Sequence, residues 1–348
     1  FDEVMQWNHK LTKWYSKNKR DFPWRDQNDP YKIWLSEIIL QQTRAATGIP
    51  YYLKFINKYP NIKKLANADE KEILKNWQGL GYYSRALNLH QTAKFVLNKL
   101  DGEFPKKINL LKQLKGVGDY TANAIASICF EVPSAVVDGN VYRFLSRYFG
   151  INKKIGTKKS YNFFKEKADK LMRNSKPSEF NQALMEFGSL QCIPKNPKCH
   201  VCVFRNKCFA FNNDKLDTYP VKSKLNKLKK RYFNYLIFKN RLDQRIIIQR
   251  LKKDIWFKLY EYPLFESNKI IKQSNHICVE LMKKYQIENS KINLINSIPI
   301  IQKLSHQIIY ASFWNIELKK LPTFGIKVKS IENYPIPVII KKYIDAYS

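Results

Sequence analysis

Cys192, Cys199, Cys202 and Cys208 follow one another with the spacing C-x6-C-x2-C-x5-C. Four thiolates at that density can hold a zinc ion or a [4Fe–4S] cube. A zinc ribbon usually presents two separate C-x2-C knuckles; here there is one, with Pro194 and Pro197 shaping a compact loop, so the spacing favours the cube. Cys129, in the apolar run Ala124–Phe130, and Cys278 read as small buried hydrophobes. Two carboxylates are set differently. Glu37 sits in Trp34-Leu35-Ser36-Glu37-Ile38-Ile39-Leu40. On a helix its neighbours are Ile33, Trp34 and Leu40. Apolar surroundings raise a carboxyl pKa and suit it to general acid–base work near neutrality; a solvated surface glutamate is the plainer alternative. Asp138 precedes Gly139-Asn140 and a helical run, Val141–Phe149, and reads as an N-cap. A capped carboxylate at a helix start is held ionised and aimed. One neutral and one charged carboxyl make the pair that glycosidic cleavage through an oxocarbenium-like ion requires.

The elements that must position these groups are mostly helical. Apolar residues recur at helical spacing in Val4–Trp7–Leu11–Trp14, Ile33–Leu40 and Leu87–Leu100, with turn signals at Asn28-Asp29-Pro30, Tyr59-Pro60-Asn61, Gly79-Leu80-Gly81 and Asp101-Gly102. Gly116-Val117-Gly118 lies between two helical segments. Two glycines at i and i+2 make a tight turn whose N–H groups, opening a helix at Asp119, form an anion site. Past Asp217 the texture changes. A stretch dense in lysine from Lys222 to Arg231 reads as a linker able to lie on phosphates, and β-type runs follow at Tyr232–Phe238, Arg245–Gln249, Ile292–Ile298 and Ile308–Ile316, with a helix near Ile277–Tyr285.

The charge balance names a partner class. Lys+Arg is 62 against Asp+Glu 29, a formal net charge of +33 over 348 residues. Such a field draws polyanions, with nucleic acid first and an acidic membrane surface second. The abundance of Lys, Asn and Ile together also fits an AT-rich coding sequence, so the sign of the charge carries more than its size. No apolar run approaches the ~20 residues of a membrane span, and no secretory segment opens the chain. The expectation is a cytoplasmic, nucleoid-associated monomer without disulfides.

These motifs, in this order, closely resemble the adenine-DNA glycosylase (MutY-type) family of the helix–hairpin–helix glycosylase superfamily. The match runs through Phe22-Pro23-Trp24-Arg25, Ser36-Glu37-Ile38 with Gln41-Gln42-Thr43-Arg44, Gly79-Leu80-Gly81-Tyr82-Tyr83-Ser84-Arg85, Gly116-Val117-Gly118-Asp119-Tyr120-Thr121-Ala122, Val137-Asp138-Gly139-Asn140-Val141, Asn181-Gln182-Ala183 and the four cysteines. The resemblance implies a multidomain chain. Residues 1–217 would form an all-α glycosylase domain, a six-helix barrel lobe plus an iron–sulfur lobe, with its hairpin at 108–130 and its [4Fe–4S] loop at 192–208. A basic linker, 218–231, and an α+β Nudix-like domain, 232–348, would follow. It implies a monofunctional enzyme that removes adenine opposite 8-oxoguanine or guanine in double-stranded DNA.

On that resemblance Glu37 protonates adenine N7, Asp138 stabilises the sugar cation, and Tyr120 and Asn140 support it. Trp24, Arg25 and Gln182 wall the flipped-adenine pocket, and Gln42 and Tyr82 fill the emptied stack. Thr43 and Leu80 lie near the orphan base, and Gly116, Val117 and Gly118 grip phosphate. Related bifunctional enzymes carry a lysine at position 120, which forms a Schiff base; a tyrosine cannot. Leu304-Ser305-His306 resembles the family's Phe-Ser-His element, with Leu in place of Phe, so Ser305 and His306 would read the damaged base. The catalytic Nudix box of acids is absent, and no pyrophosphatase activity is expected.

Overall fold

Helices fill the first part of the chain in the computed structural model, which describes residues 2–222, 228–287 and 291–347. They are α1 (Asp2–Asn18), α2 (Pro30–Leu40), α3 (Ala45–Lys58), α4 (Ile62–Ala66), α5 (Glu70–Trp77), α6 (Ser84–Lys99), α7 (Ile108–Leu111), α8 (Asp119–Phe130), α9 (Gly139–Phe149), α10 (Lys158–Met172), α11 (Pro177–Leu190) and α12 (Phe209–Asn212). Their sequence causes are local. Asp29 caps α2, its carboxylate accepting from Tyr31 N at 2.9 Å, and Pro30 occupies the first turn, where its missing N–H costs nothing. Helix α1 turns Trp7, Leu11, Trp14 and Tyr15 inward. That stripe joins Phe144, Phe180, Phe187 and Phe204 in one core. Phe204 lies between Cys202 and Cys208, 4% exposed, with its ring 4.9 Å from Trp7. Deleting such a ring costs ~3–5 kcal/mol, so this contact anchors the cysteine loop to the core.

Strands β1 (Lys229–Lys239), β2 (Arg245–Gln249), β3 (Tyr260–Glu261), β4 (Leu264–Ser267), β5 (Lys291–Leu294), β6 (Ile300–Lys303), β7 (Gln307–Glu317) and β8 (Ile326–Val328) form a mixed sheet, together with α13 (Ser274–Tyr285) and α14 (Val338–Tyr347). The path runs β3-β2-β1-β7-β5; β4 pairs with β1, β6 with β7 and β8 with β2. The central pair β1–β7 is parallel from Lys229↔Gln307 to Lys239↔Glu317. Both strands read as near-continuous apolar runs because both faces are covered. Leu236 and Trp314 pack on one side against Ile277 and Leu281 of α13. Tyr235 and Phe313 point to the other, where Tyr343 of α14 stacks on Phe313 at 4.1 Å.

The β1 strand opens at Lys229, inside the stretch that composition marks as linker. Arg231 is buried there by ion pairs with Glu266 and Asp254, so it is not a free phosphate ligand. Residues 223–227 of that stretch lie outside the described residues. The run Ile292–Ile298 is not one strand. Pairing stops at Leu294, because the buried Asn296 side chain takes over the bonding, donating to Ala311 O and Ile298 O and accepting from Phe313 N. Cys278 is exposed and Cys129 only half-buried, against the expectation of two buried thiols, though burial still pushes the Cys129 thiol up to about 12.

Contacts group the chain into two compact units, Phe1–Asn67 with Asn88–Lys224, and Ala68–Leu87 with Leu225–Ser348. In the second, α5 and the turn after it are tied to the strand-rich segment. Lys258 pairs with Glu70 at 2.6 Å, and Lys75 Nζ donates to Tyr334 O. No helix among the described residues is long and apolar enough to cross a membrane.

Candidate active site

The first unit brings four of the expected site residues together from three helices. Glu37 is on α2, Tyr120 on the first turn of α8, and Asp138 and Asn140 at the start of α9. Glu37 is 8% exposed. Burial pushes its carboxyl up to about 7; a hydrogen bond with the Tyr120 hydroxyl opposes this and the nearby Asp138 charge adds to it. The apolar run around Glu37 therefore does what its helical spacing implies. Tyr120 is held as the phenol, burial first and the two carboxylates next driving its pKa well above the usual value.

Asp138 caps α9, with Oδ1 accepting from Val141 N and Oδ2 from Asn140 Nδ2, both at 2.8 Å. The cap is as the sequence implies, but its electrostatic consequence is not. Burial raises the Asp138 carboxyl from its ordinary value, and the bonds from Val141 and Asn140 only partly offset this. The cost of taking a carboxylate out of water exceeds what the cap bonds return.

Three residues missed by sequence reasoning hold this corner. Arg143 Nη2 donates to Asn140 Oδ1 at 2.9 Å and to Gly188 O at 2.6 Å, and Nε donates to Cys192 O at 2.7 Å. It links the carboxylate pair to the cysteine loop. Gly188 on α11 faces the Asn140 backbone; a Cβ there would lie 2.5 Å from Asn140 O. Helical patterning marks Gly188 only as a weak helix former, since the close approach is a tertiary fact. Gly188→Ala should displace Asn140 and slow any reaction at this site by about tenfold or more, because small misplacements at a reacting centre are costly. Single-turnover rates check this, and an unchanged rate would refute it. Arg147, 2% exposed, staples the loop by donating to Ile193 O at 2.7 Å, Pro194 O at 2.9 Å and Leu216 O at 3.0 Å.

Trp24, Arg25 and Gln182 lie in the same unit. The Trp24 ring stacks on Phe22 at 5.0 Å and meets Tyr52 edge-on. Arg25 donates to Glu186 Oε2 at 2.7 Å and to the Tyr15 hydroxyl at 3.2 Å, and that hydroxyl reaches Gln182 Oε1 at 3.4 Å. Glu186 is the residue sequence reasoning missed here. Burial would raise its pKa, but Arg20 and Arg25 outweigh burial and hold the carboxyl below its ordinary range.

Gln42 follows α2, exposed, with φ of 55°; Thr43 beside it bonds its N–H to Leu40 O at 3.1 Å. The hairpin has Gly116 at φ 80°, Val117 buried as its plug, and Gly118 as the N-cap of α8. Gln41 Nε2 donates to Gly116 O at 3.1 Å, which ties the hairpin to the end of α2.

The four cysteines line one small cavity with Arg147, Phe144 and Phe187. Among the described residues no three His, Cys, Asp or Glu side chains converge on a single ion. Burial pushes the Cys192 thiol up, and the Arg147 guanidinium 3.6 Å from its Sγ only partly offsets this.

In the second unit, Leu80, Tyr82, Ser305 and His306 line one cavity of about 670 Å³. Tyr82 is 44% exposed with φ of 47°, and its hydroxyl donates to Ser305 Oγ at 2.7 Å. Leu80 is buried, while Ser305 and His306 are exposed at the turn before β7.

Comparison with known proteins agrees with this geometry. Residues 35–170 match the family described as "HhH-GPD superfamily base excision DNA repair protein". An adenine DNA glycosylase of Buchnera aphidicola subsp. Baizongia pistaciae (strain Bp) is 34% identical over 336 residues, covering 95% of this chain and 90% of the relative. The adenine DNA glycosylase of Homo sapiens is 41% identical over 221 residues, 60% of this chain and 40% of its own. A solved structure of a thermostable thymine-DNA glycosylase superposes with a TM-score of 0.56 at 30% identity, over 61% of this chain and 97% of that one.

Proposed function

The chain belongs to the adenine DNA glycosylases of the helix–hairpin–helix base excision repair superfamily, and from that premise we propose that it flips adenine out of a mispair with 8-oxoguanine or guanine and hydrolyses its glycosidic bond. It is a DNA N-glycosylase hydrolase. The observation that carries the mechanism is the buried Glu37 carboxyl, with its pKa near 7, beside Asp138 and a phenol at position 120.

Glu37 delivers its proton to N7 of the flipped adenine. The C1′–N9 bond then breaks, its electron pair leaving with the neutral base. Asp138, positioned by Val141 N and by the Arg143–Asn140 relay, stabilises the oxocarbenium ion left on the sugar. A water then adds at C1′ and returns its proton to Glu37. Tyr120 carries no amine, so no imine forms and the sugar–phosphate backbone stays intact.

The substrate side rests on charge and presentation. A net charge of +33 suits a duplex. The Gly116–Gly118 hairpin offers N–H groups at the α8 terminus to a phosphate. Trp24, Arg25 and Gln182 would wall the adenine pocket. Gln42 and Tyr82, exposed on left-handed backbone, suit insertion where the base has left. Thr43 and Leu80 would lie beside the orphan base, and Ser305 and His306 would read it. The sheet with helices on both faces supports a Nudix-like reading of the second unit. Cys192, Cys199, Cys202 and Cys208 would hold a [4Fe–4S] cluster, which would either order the basic loop near Lys195, Lys198, Arg205 and Lys207 or respond to redox state.

Single-turnover adenine release tests the proposal, using duplexes with A opposite 8-oxoguanine, guanine or thymine. Fast release on the first, with strand breaks only after alkali, is the expected result. Breaks without alkali would overturn the monofunctional mechanism, and equal rates on all three would overturn the orphan-base reading.

A further inference from the structure

The cavity that holds Tyr82, Ser305 and His306 has a third wall, residues Lys253–Phe257, which no sequence motif singles out. Its volume of about 670 Å³ falls within the ~300–1,000 Å³ of ligand-sized pockets. The wall is aromatic and unusually constrained. Trp256 has φ of 61° and Lys258 has φ of 67°. Bulky residues in the left-handed region persist only where the surroundings over-determine them.

The surroundings here are two arginines. Arg250 Nη2 donates to both Asp254 oxygens at 2.9 Å, and its Nε to Ile255 O at 2.9 Å. Arg231 Nη2 reaches Asp254 Oδ2 at 3.0 Å. Each arginine has a second carboxylate, Glu261 for Arg250 and Glu266 for Arg231, both at close range. The backbone is closed at both ends. Lys258 N donates to Arg250 O and Leu259 N to Trp256 O, at 2.8 and 3.0 Å. Phe233 carries Arg231 over its face at 4.7 Å and meets the Trp256 ring edge-on at 6.0 Å. A plain surface loop needs none of this apparatus.

We propose that Trp256, on a segment clamped through Asp254 by Arg231 and Arg250, is a specificity-determining residue for the base opposite the excised adenine, and that Asp254 is its positioning residue. The inference rests on the reading of this cavity as the orphan-base reader. An indole in that wall gives the polar groups of Tyr82, Ser305 and His306 a rigid apolar surface to work against. A purine edge bearing an extra oxo group can then be told from guanine by shape as well as by hydrogen bonds. With Leu304 in this cavity, an aromatic surface comes from Trp256 and Phe257 rather than from the turn itself.

The experiment measures adenine release by single turnover on duplexes with A opposite 8-oxoguanine and A opposite guanine, for the full chain and for W256A, W256F and D254N. The wild-type ratio of the two rates is measured first. W256A is expected to lower that ratio about tenfold, the size of a lost stacking surface, by slowing the 8-oxoguanine duplex more than the guanine duplex. W256F, which keeps an aromatic ring and the packing on Phe233, should fall between the two. D254N should shift the ratio in the same direction. An unchanged ratio in folded W256F and D254N, or equal slowing of both duplexes, would overturn the assignment and leave Trp256 as packing. A wild-type ratio near one would overturn the orphan-base reading itself, and the assignment with it.

Discussion

Glu37→Gln removes adenine release by roughly 10³-fold or more, the scale of a lost general acid that also activates the water, while duplex binding is retained. Glutamine keeps the shape and a hydrogen-bonding partner for Tyr120, but has no proton to give. The wild-type rate should fall as pH rises through about 7, because Glu37 acts protonated and burial sets its carboxyl there. In E37Q that limb disappears. Stability moves the same way. The folded protein holds the Glu37 proton more tightly than the unfolded chain does, so stability is fullest below the ordinary glutamate range and is lost as pH rises toward about 7. E37Q escapes that loss and should be the more stable protein above neutrality, by an amount on the order of ~1–3 kcal/mol. Rapid-quench rates, a binding titration and melting curves across pH 5–9 check all three. Binding that falls in step with cleavage would mean Glu37 grips the base rather than protonating it.

Asp138→Asn should slow release by roughly 10²–10³-fold, the cost of removing an aimed charge from a developing cation. Asparagine caps a helix as well as aspartate does, so α9 and the fold survive. What is lost is the charge, while Arg143 and Asn140 remain in position. A second consequence separates this from simple damage. The Asp138 charge helps to raise the Glu37 carboxyl, so its removal should move the descending pH limb to lower pH. A slowed variant whose pH limb stays in place would show that the two carboxylates do not share a field.

Much of this could be read in the sequence because its causes are local. Asp29-Pro30 starts α2, Asp138 caps α9, and the alternation of helix and turn signals is written in neighbouring residues. Glu37 follows from the same logic, since Ile33, Trp34 and Leu40 are its neighbours on any helix. The β1 and β7 runs were legible as strands, though not their ends. Pairing at Lys229 and the Asn296 break depend on what lies across the sheet. Arg231 misled for the same reason, as its ion pairs come from residues 23 and 35 positions away.

The sequence by itself determined which groups are available: two carboxyls, a phenol at position 120 and four closely spaced thiols. Tertiary structure alone decided the strengths and supports of those groups. Burial raised Asp138 against its cap, Gly188 packed on the corner from α11 while Arg143 tied it to the cysteine loop, and Asp254 locked Trp256 into a cavity wall. Type and local spacing are properties of the chain, whereas desolvation and close approach exist only once distant segments have packed.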